Sequence, residues 1–193
     1  MSLQEYHKKR DFAKTPEPAG STEQEKTNRE HKTSTSNLRF VVQRHEATRL
    51  HYDFRLETQK GALKSWAIPK GISINPKVKR LAVMTEDHPL DYLLFEGVIP
   101  GGNYGAGTVI VWDTGIYITQ QELLGQIEIG KLSFSLFGQK LRGRFSLVKT
   151  ERDENQWLLI KANDEFASVE DASINKHESV LTGRTNEDLK YKN

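Results

Sequence analysis

Eight consecutive residues, Leu50-His51-Tyr52-Asp53-Phe54-Arg55-Leu56-Glu57, alternate apolar and polar side chains without a break. Such alternation constrains a segment to a strand with one face in a core, because successive Cβ atoms of an extended chain point to opposite sides. Leu50, Tyr52, Phe54 and Leu56 share the core parity, and His51, Asp53, Arg55 and Glu57 share the other. A solvated strand face ordinarily mixes Thr, Lys, Ser and Glu with no chemical theme. This one sets an imidazole, a carboxylate and a guanidinium in a row, about 6.6 Å apart.

Upstream, Leu38 to His45 reads as a second strand, with Phe40 and Val42 on one face and Val41, Gln43 and His45 on the other. Closed into a hairpin through Glu46-Ala47-Thr48-Arg49, the two strands bring His45 beside His51 and Asp53. Two imidazoles and a carboxylate on rigid backbone make a three-ligand site for a divalent transition metal with positions left open. Arg55 lies one pleat further along, where a metal-bound anion such as phosphate needs a partner. A solvated face with a chance His pair is the alternative that this stretch alone leaves standing.

The apolar residues concentrate between Leu38 and Ile160 of the 193-residue chain, which argues for one domain with flanking polar segments. The expected division is an arm and polar linker over 1–37, partly disordered, a β domain over 38–165 and a polar tail over 166–193. Within the arm, residues 1–14 suit a short helix, Thr15-Pro16-Glu17-Pro18 breaks it, and 21–37 hold no large apolar residue and read as a mobile linker. Further strands are expected at 62–68, 80–85, 92–96, 107–112, 131–137, 144–149 and 156–162, with a helix within 120–129. Many short strands between Gly- and Pro-rich turns imply a mainly β fold, a closed barrel or a two-sheet sandwich with a few short helices.

Residues 38–150 carry 15 Lys and Arg against 10 Asp and Glu, a basic balance that permits a polyanionic partner. The absence of cysteine excludes disulfides and thiolate metal sites and suits a reducing compartment. No apolar run approaches a membrane span or a signal peptide, so a cytoplasmic monomer without membrane contact is expected.

A second cluster, Thr85-Glu86-Asp87-His88-Pro89-Leu90-Asp91-Tyr92, follows an apolar strand, where a loop can present His88 and Tyr92 over a sheet end. Both side chains can donate to phosphate oxygens, and an imidazole can also serve as a general acid. The plainer alternative has His88 capping a turn while Tyr92 packs.

Taken together, Gln43-Arg44-His45, Arg49-Leu50-His51-Tyr52-Asp53-Phe54-Arg55-Leu56, Leu63-Lys64-Ser65-Trp66-Ala67-Ile68-Pro69-Lys70-Gly71, Glu86-Asp87-His88-Pro89-Leu90-Asp91-Tyr92 and Gly102-Asn103-Tyr104-Gly105-Ala106-Gly107 closely resemble the 3′-phosphoesterase module of bacterial DNA ligase D, an enzyme of non-homologous end joining. The resemblance covers about 10 to 150, and several ordered blocks are far more specific than any single motif. It implies a compact single-domain β-barrel with the site in a groove. It also implies a manganese-dependent activity, with Co2+ or Zn2+ as other candidate ions, that removes 3′-terminal ribonucleotides and 3′-phosphates from primer–template ends to leave a 3′-OH.

By position, the resemblance implies His45, His51 and Asp53 as metal ligands and Arg55, His88 and Tyr92 as contacts to the scissile phosphate. Gln43, Lys70 and Arg80 match positions that support the site or bind the DNA strand. The N-terminal Arg10, Asp11 and Glu17 match a segment needed for activity. The implied partners are DNA 3′ ends and a separate ligase and polymerase, since those modules are absent and the chain reads as a stand-alone form. The competing reading is a non-catalytic module that holds DNA ends and recruits a ligase or polymerase.

Overall fold

The computed structural model describes residues 2–20, 38–170 and 176–190. The expected linker over 21–37 lies outside the described residues. Among the described residues nine strands follow in order: β1 (Leu38–Glu46), β2 (Leu50–Glu57), β3 (Ala62–Ile68), β4 (Lys79–Pro89), β5 (Gly97–Ile99), β6 (Gly107–Ile118), β7 (Lys131–Gly138), β8 (Arg142–Lys149) and β9 (Gln156–Lys161). Among the described residues three short α-helices accompany them: α1 (Leu3–Lys8), α2 (Leu123–Ile129) and α3 (Asn186–Lys190).

Strand order β1-β2-β3-β4-β9-β8-β7-β6, with β6 pairing back onto β1, closes an eight-stranded antiparallel barrel, and β5 adds to β6. Closure removes the free edges that an open sheet of this size must protect. The alternating pattern explains the wall. Phe40 and Val42 of β1, Phe54 and Leu56 of β2, Trp66 of β3 and Trp157 of β9 all point into one buried interior cluster.

A second, smaller core forms on the outer side of the same wall. Val41, Leu63, Val109 and Val111 take the opposite parity and are covered by Tyr6 of α1 and by Leu90, Tyr92 and Leu93. The barrel is therefore lined on both faces along β1, β3 and β6. Register shifts at Val42/Gln43 and Leu63/Ser65 fall on strands beside this outer core, where bulges re-aim side chains.

Two expected elements take other forms. The strand expected over 92–96 is a 3-10 helix, Leu90–Leu94, followed by β5. Its apolar residues 90, 92 and 93 do not alternate, and the tight helix after Pro89 buries all three against the outer core. The loop expected to present His88 is the end of β4, which runs eleven residues to Pro89. His88 thus stands on a strand, opposite Leu63 of β3.

The C-terminal segment also has a role that its weak pattern concealed. It runs along the barrel, where the Trp112 indole donates to the Lys176 carbonyl at 2.6 Å and Val180 N–H donates to the Val111 carbonyl at 3.0 Å. Asn186 is fully buried. Its Nδ2 donates to the Arg44 carbonyl at 3.1 Å and the Thr108 carbonyl at 2.8 Å, while its Oδ1 accepts from Arg44 Nη1 at 2.7 Å. One amide thereby ties β1 to β6 next to His45 on β1. Among the described residues, no helix is long and apolar enough to cross a membrane.

Candidate active site

The hairpin places His45 directly opposite His51, and Gln43 opposite Asp53, all on the outer face of the barrel. Asp53 Oδ2 lies 3.5 Å from His45 Nδ1, and its Oδ1 lies 3.5 Å from His51 Nε2. One ligand atom from each residue falls within 4.8 Å of the others, so the three could hold a metal ion. Their other ring nitrogens are engaged. His45 Nε2 meets the Gly105 carbonyl at 2.8 Å, and His51 Nδ1 meets the Arg49 carbonyl at 3.0 Å. A carbonyl oxygen only accepts, so these nitrogens carry hydrogens, which leaves the opposite nitrogen of each ring, on the Asp53 side, as the one that can ligate a cation.

With both rings neutral, three lone-pair donors converge, an arrangement that a cation satisfies. Two imidazoles and one carboxylate form a donor set suited to zinc, cobalt or manganese. Asp53 is itself ionised. Burial opposes its charge, but the Arg55 guanidinium outweighs it and holds the carboxyl well below the usual carboxylate range.

Arg55 is fixed by contacts along its whole head. Nε donates to Gln43 Oε1 at 2.8 Å and Nη2 donates to Asp53 Oδ2 at 3.0 Å. Gln43 in turn donates to the carbonyls of Tyr92 and Phe95, both at 3.0 Å. Sequence matching groups Gln43 with the site-supporting or DNA-binding positions; the structure buries it behind Arg55 as a brace.

Nη1 of Arg55 lies 3.0 Å from His88 Nδ1, while Arg10 Nη2 lies 3.4 Å from His88 Nε2. The Glu86 carbonyl also sits 2.9 Å from His88 Nδ1. That nitrogen faces a donor and an acceptor at once, so either neutral tautomer leaves one of them unmet. Burial and the two guanidinium charges push the His88 pKa well below its ordinary value, so the ring is neutral.

The N-terminal segment roofs this cradle. Arg10 donates from Nε to Glu17 Oε1 at 2.9 Å and from Nη1 to Glu86 Oε1 at 3.1 Å. The Tyr92 hydroxyl donates to the same Glu17 Oε1 at 2.8 Å, and its ring centroid lies 4.9 Å from the Arg55 guanidinium carbon. Burial raises the Tyr92 pKa well above its ordinary value, which keeps the phenol a donor. Together these groups line a cleft of about 590 Å³ that also contains His45, His51 and Asp53.

Eight of the twelve residues singled out from the sequence line that cleft: Arg10, Glu17, His45, His51, Asp53, Arg55, His88 and Tyr92. Asp11 lies outside the cleft lining, on the surface in a pair with Lys14 at 2.9 Å, and Lys70 is exposed in the turn after β3. Arg80 pairs in register with Leu159 on the β4–β9 side and also lies outside the lining. Sequence reasoning passed over Glu86, which shares the face of His88 two residues away and anchors Arg10 and Lys9. Burial opposes its ionisation, yet the hydrogen bonds from Lys9 and Arg10 prevail and lower its pKa. The spacing of Glu86 and His88 on an extended strand was the signal available.

Comparison with known proteins agrees with this architecture. Residues 43–149 match the family model described as the DNA ligase D 3′-phosphoesterase domain. The chain is 51% identical over 188 residues, 95% of its length, to the multifunctional non-homologous end joining protein LigD of Pseudomonas aeruginosa. It is 44% identical over 156 residues to the protein of that name in Mycobacterium bovis, and 40% identical over 169 residues to that of Mycolicibacterium smegmatis. These matches take in 81% and 84% of the chain, respectively. The chain spans 21% of the Pseudomonas protein, 19% of the Mycobacterium bovis protein and 21% of the Mycolicibacterium protein, about a fifth of each. With the family model matching more than half of its residues, the chain belongs to the DNA ligase D 3′-phosphoesterase domain family.

Proposed function

We propose that this chain is a metal-dependent phosphoesterase that trims DNA 3′ ends, removing terminal ribonucleotides and 3′-phosphates from a primer–template to leave a 3′-OH. The observation that carries this reading is the convergence of His45 Nδ1 and His51 Nε2 on the Asp53 carboxylate, directly beside Arg55. Manganese is the proposed ion. Bound there, it supplies Lewis-acid stabilisation for charge growing on the phosphoryl oxygens.

The protein's own groups do the rest. Arg55 and Arg10 flank His88 and offer guanidinium N–H groups to a phosphate placed between them and the metal ligands. The neutral His88 serves as a phosphate contact rather than as a stored proton. An arriving phosphate oxygen relieves its mismatch by drawing a guanidinium away. Glu17 and Glu86 orient Arg10, Tyr92 steadies Glu17, and Gln43 steadies Arg55.

The proposed setting is non-homologous end joining, as the names of the relatives suggest; a ligase and a polymerase are the proposed companions and the cytoplasm the proposed compartment. Asp11, Lys70 and Arg80 are proposed to act from the surface, on the arm or the DNA strand. The reading is tested with primer–templates ending in a 3′-phosphate or a single ribonucleotide, incubated with manganese or with chelator. Manganese-dependent release of a 3′-OH end is expected. Binding of both ends without turnover in any divalent metal would favour the end-holding module instead.

A further inference from the structure

Among the described residues, Tyr104 is the one large aromatic that both lines the cleft and is exposed, at 51%. The other exposed large apolar side chains, such as Leu94, Ile129 and Phe137, lie away from it. Two cations lie over the ring. Lys9 Nζ is 4.8 Å from its centroid and the Arg10 guanidinium carbon is 5.5 Å away. Arg10 itself stacks at 3.8 Å on Tyr6. The ring thus packs against cations that are anchored to Glu17 and Glu86, and about half of the residue remains open to solvent.

Its place in the chain matters as much. The next residue, Gly105, supplies the carbonyl that orients His45, and a Cβ built on Gly105 would lie 3.7 Å from His45 Cε1. Tyr104 therefore stands one residue from the wall of the metal-ligand cluster, at the rim. An anionic chain whose phosphate enters the cleft carries a planar base on either side of that phosphate. An aromatic ring backed by cations is the surface on which such a base stacks.

We propose that Tyr104 is a nucleobase platform that stacks on a base adjoining the scissile phosphate. This rests on the end-processing reading above and adds a base-recognition subsite to it. Stacking on a π face is tolerant of base identity, so the subsite takes any base and confers grip without sequence preference.

The test is a double-mutant cycle in binding, read by fluorescence anisotropy in chelator and low salt so that no turnover intervenes. Primer–templates carry either a full 3′ end, an abasic terminal nucleotide or an abasic penultimate nucleotide. Tyr104→Ala should bind the full end roughly 5- to 150-fold more weakly, the span of one lost base–aromatic stack. Tyr104→Leu, which still covers Arg10 but lacks a π face, should behave like Tyr104→Ala, and Tyr104→Trp should bind like the parent. At one of the two abasic positions the parent should lose the same factor and Tyr104→Ala should lose nothing further.

Additive losses at both abasic positions overturn the stack, as does parental binding by Tyr104→Ala or Tyr104→Leu. The same proteins are then supplied with manganese and assayed for 3′-OH release. A parent that shows the non-additive cycle but releases nothing refutes the end-processing chemistry and leaves the platform standing. A parent that binds no DNA end refutes both.

Discussion

Arg55 Nη1 reaches His88 Nδ1 at 3.0 Å although β2 and β4, which carry them, are separated by β3. A guanidinium thus abuts a buried imidazole whose pKa is pushed down. This contact, together with burial and Arg10, sets the sign of a pH effect on stability. Because the folded-state pKa of His88 lies well below its ordinary value, the unfolded chain takes up a proton first as pH falls. Stability is unaffected above the unfolded value near ~6.5 and declines as pH drops below it, by at most ~1.4 kcal/mol per pH unit from this one group. Urea midpoints at pH 7.5, 6.5 and 5.5 should show a steeper acid loss for the parent than for His88→Gln. Equal slopes would remove His88 from the account.

Metal ligation and phosphate contact should separate by mutation. Asp53→Ala removes one of three protein ligands and its charge, so calorimetric titration with manganese should show weakened binding. Arg55→Ala and His88→Ala should still bind the ion while losing about 10²–10³ in rate, the usual cost of one preorganised charge-stabilising donor. An Asp53→Ala protein with parental manganese affinity would contradict the assignment of the ligands.

Tyr92 offers a finer test. Its hydroxyl donates to Glu17, so Tyr92→Phe should cost about 0.5–1.5 kcal/mol of stability and little rate, as expected for one lost hydrogen bond. Tyr92→Ala also removes the ring against Arg55 and His88 and should lower kcat strongly. If Tyr92→Phe alone abolishes turnover, the hydroxyl touches substrate directly.

Asn186→Ala should destabilise the protein by roughly 1–3 kcal/mol, because it strands buried carbonyls of Arg44 and Thr108. Chemical denaturation should show a lower midpoint with an unchanged slope. A variant within error of the parent would mean that water replaces the amide.

Much of this was legible where the determining contacts are local. The alternation over 50–57 and the short turn before it placed His45, His51 and Asp53 on one face, because strand parity and a tight hairpin leave little choice. Arg10 and Glu17 carried no pattern of their own and came only through the family resemblance. Their partners, Glu86, His88 and Tyr92, lie more than 70 residues away in sequence. Asn186 was invisible for a related reason: it meets Arg44 across 142 residues, and a single polar side chain leaves no periodic trace. The segment 90–94 misled because Tyr92 and Phe95 suggest a strand, whereas Leu90, Tyr92 and Leu93 together need the tighter rise of a 3-10 turn to share one apolar bed.

The roof over the cleft has one more consequence. Among the described residues, 2–20 make no backbone–backbone hydrogen bond to the barrel; Tyr6, Lys9, Arg10 and Glu17 hold on by packing and side-chain contacts. The polypeptide is in effect a receptor that carries its own ligand in the same chain, and the two can be separated at the bench. A barrel lacking residues 1–37 should be less stable, since the bed of Tyr6 is laid bare, and inactive for want of Arg10 and Glu17. Titrating in a synthetic peptide of residues 2–20 should restore turnover along a saturable curve, and the peptide concentration at half-restoration measures how tightly the enzyme holds its own missing piece.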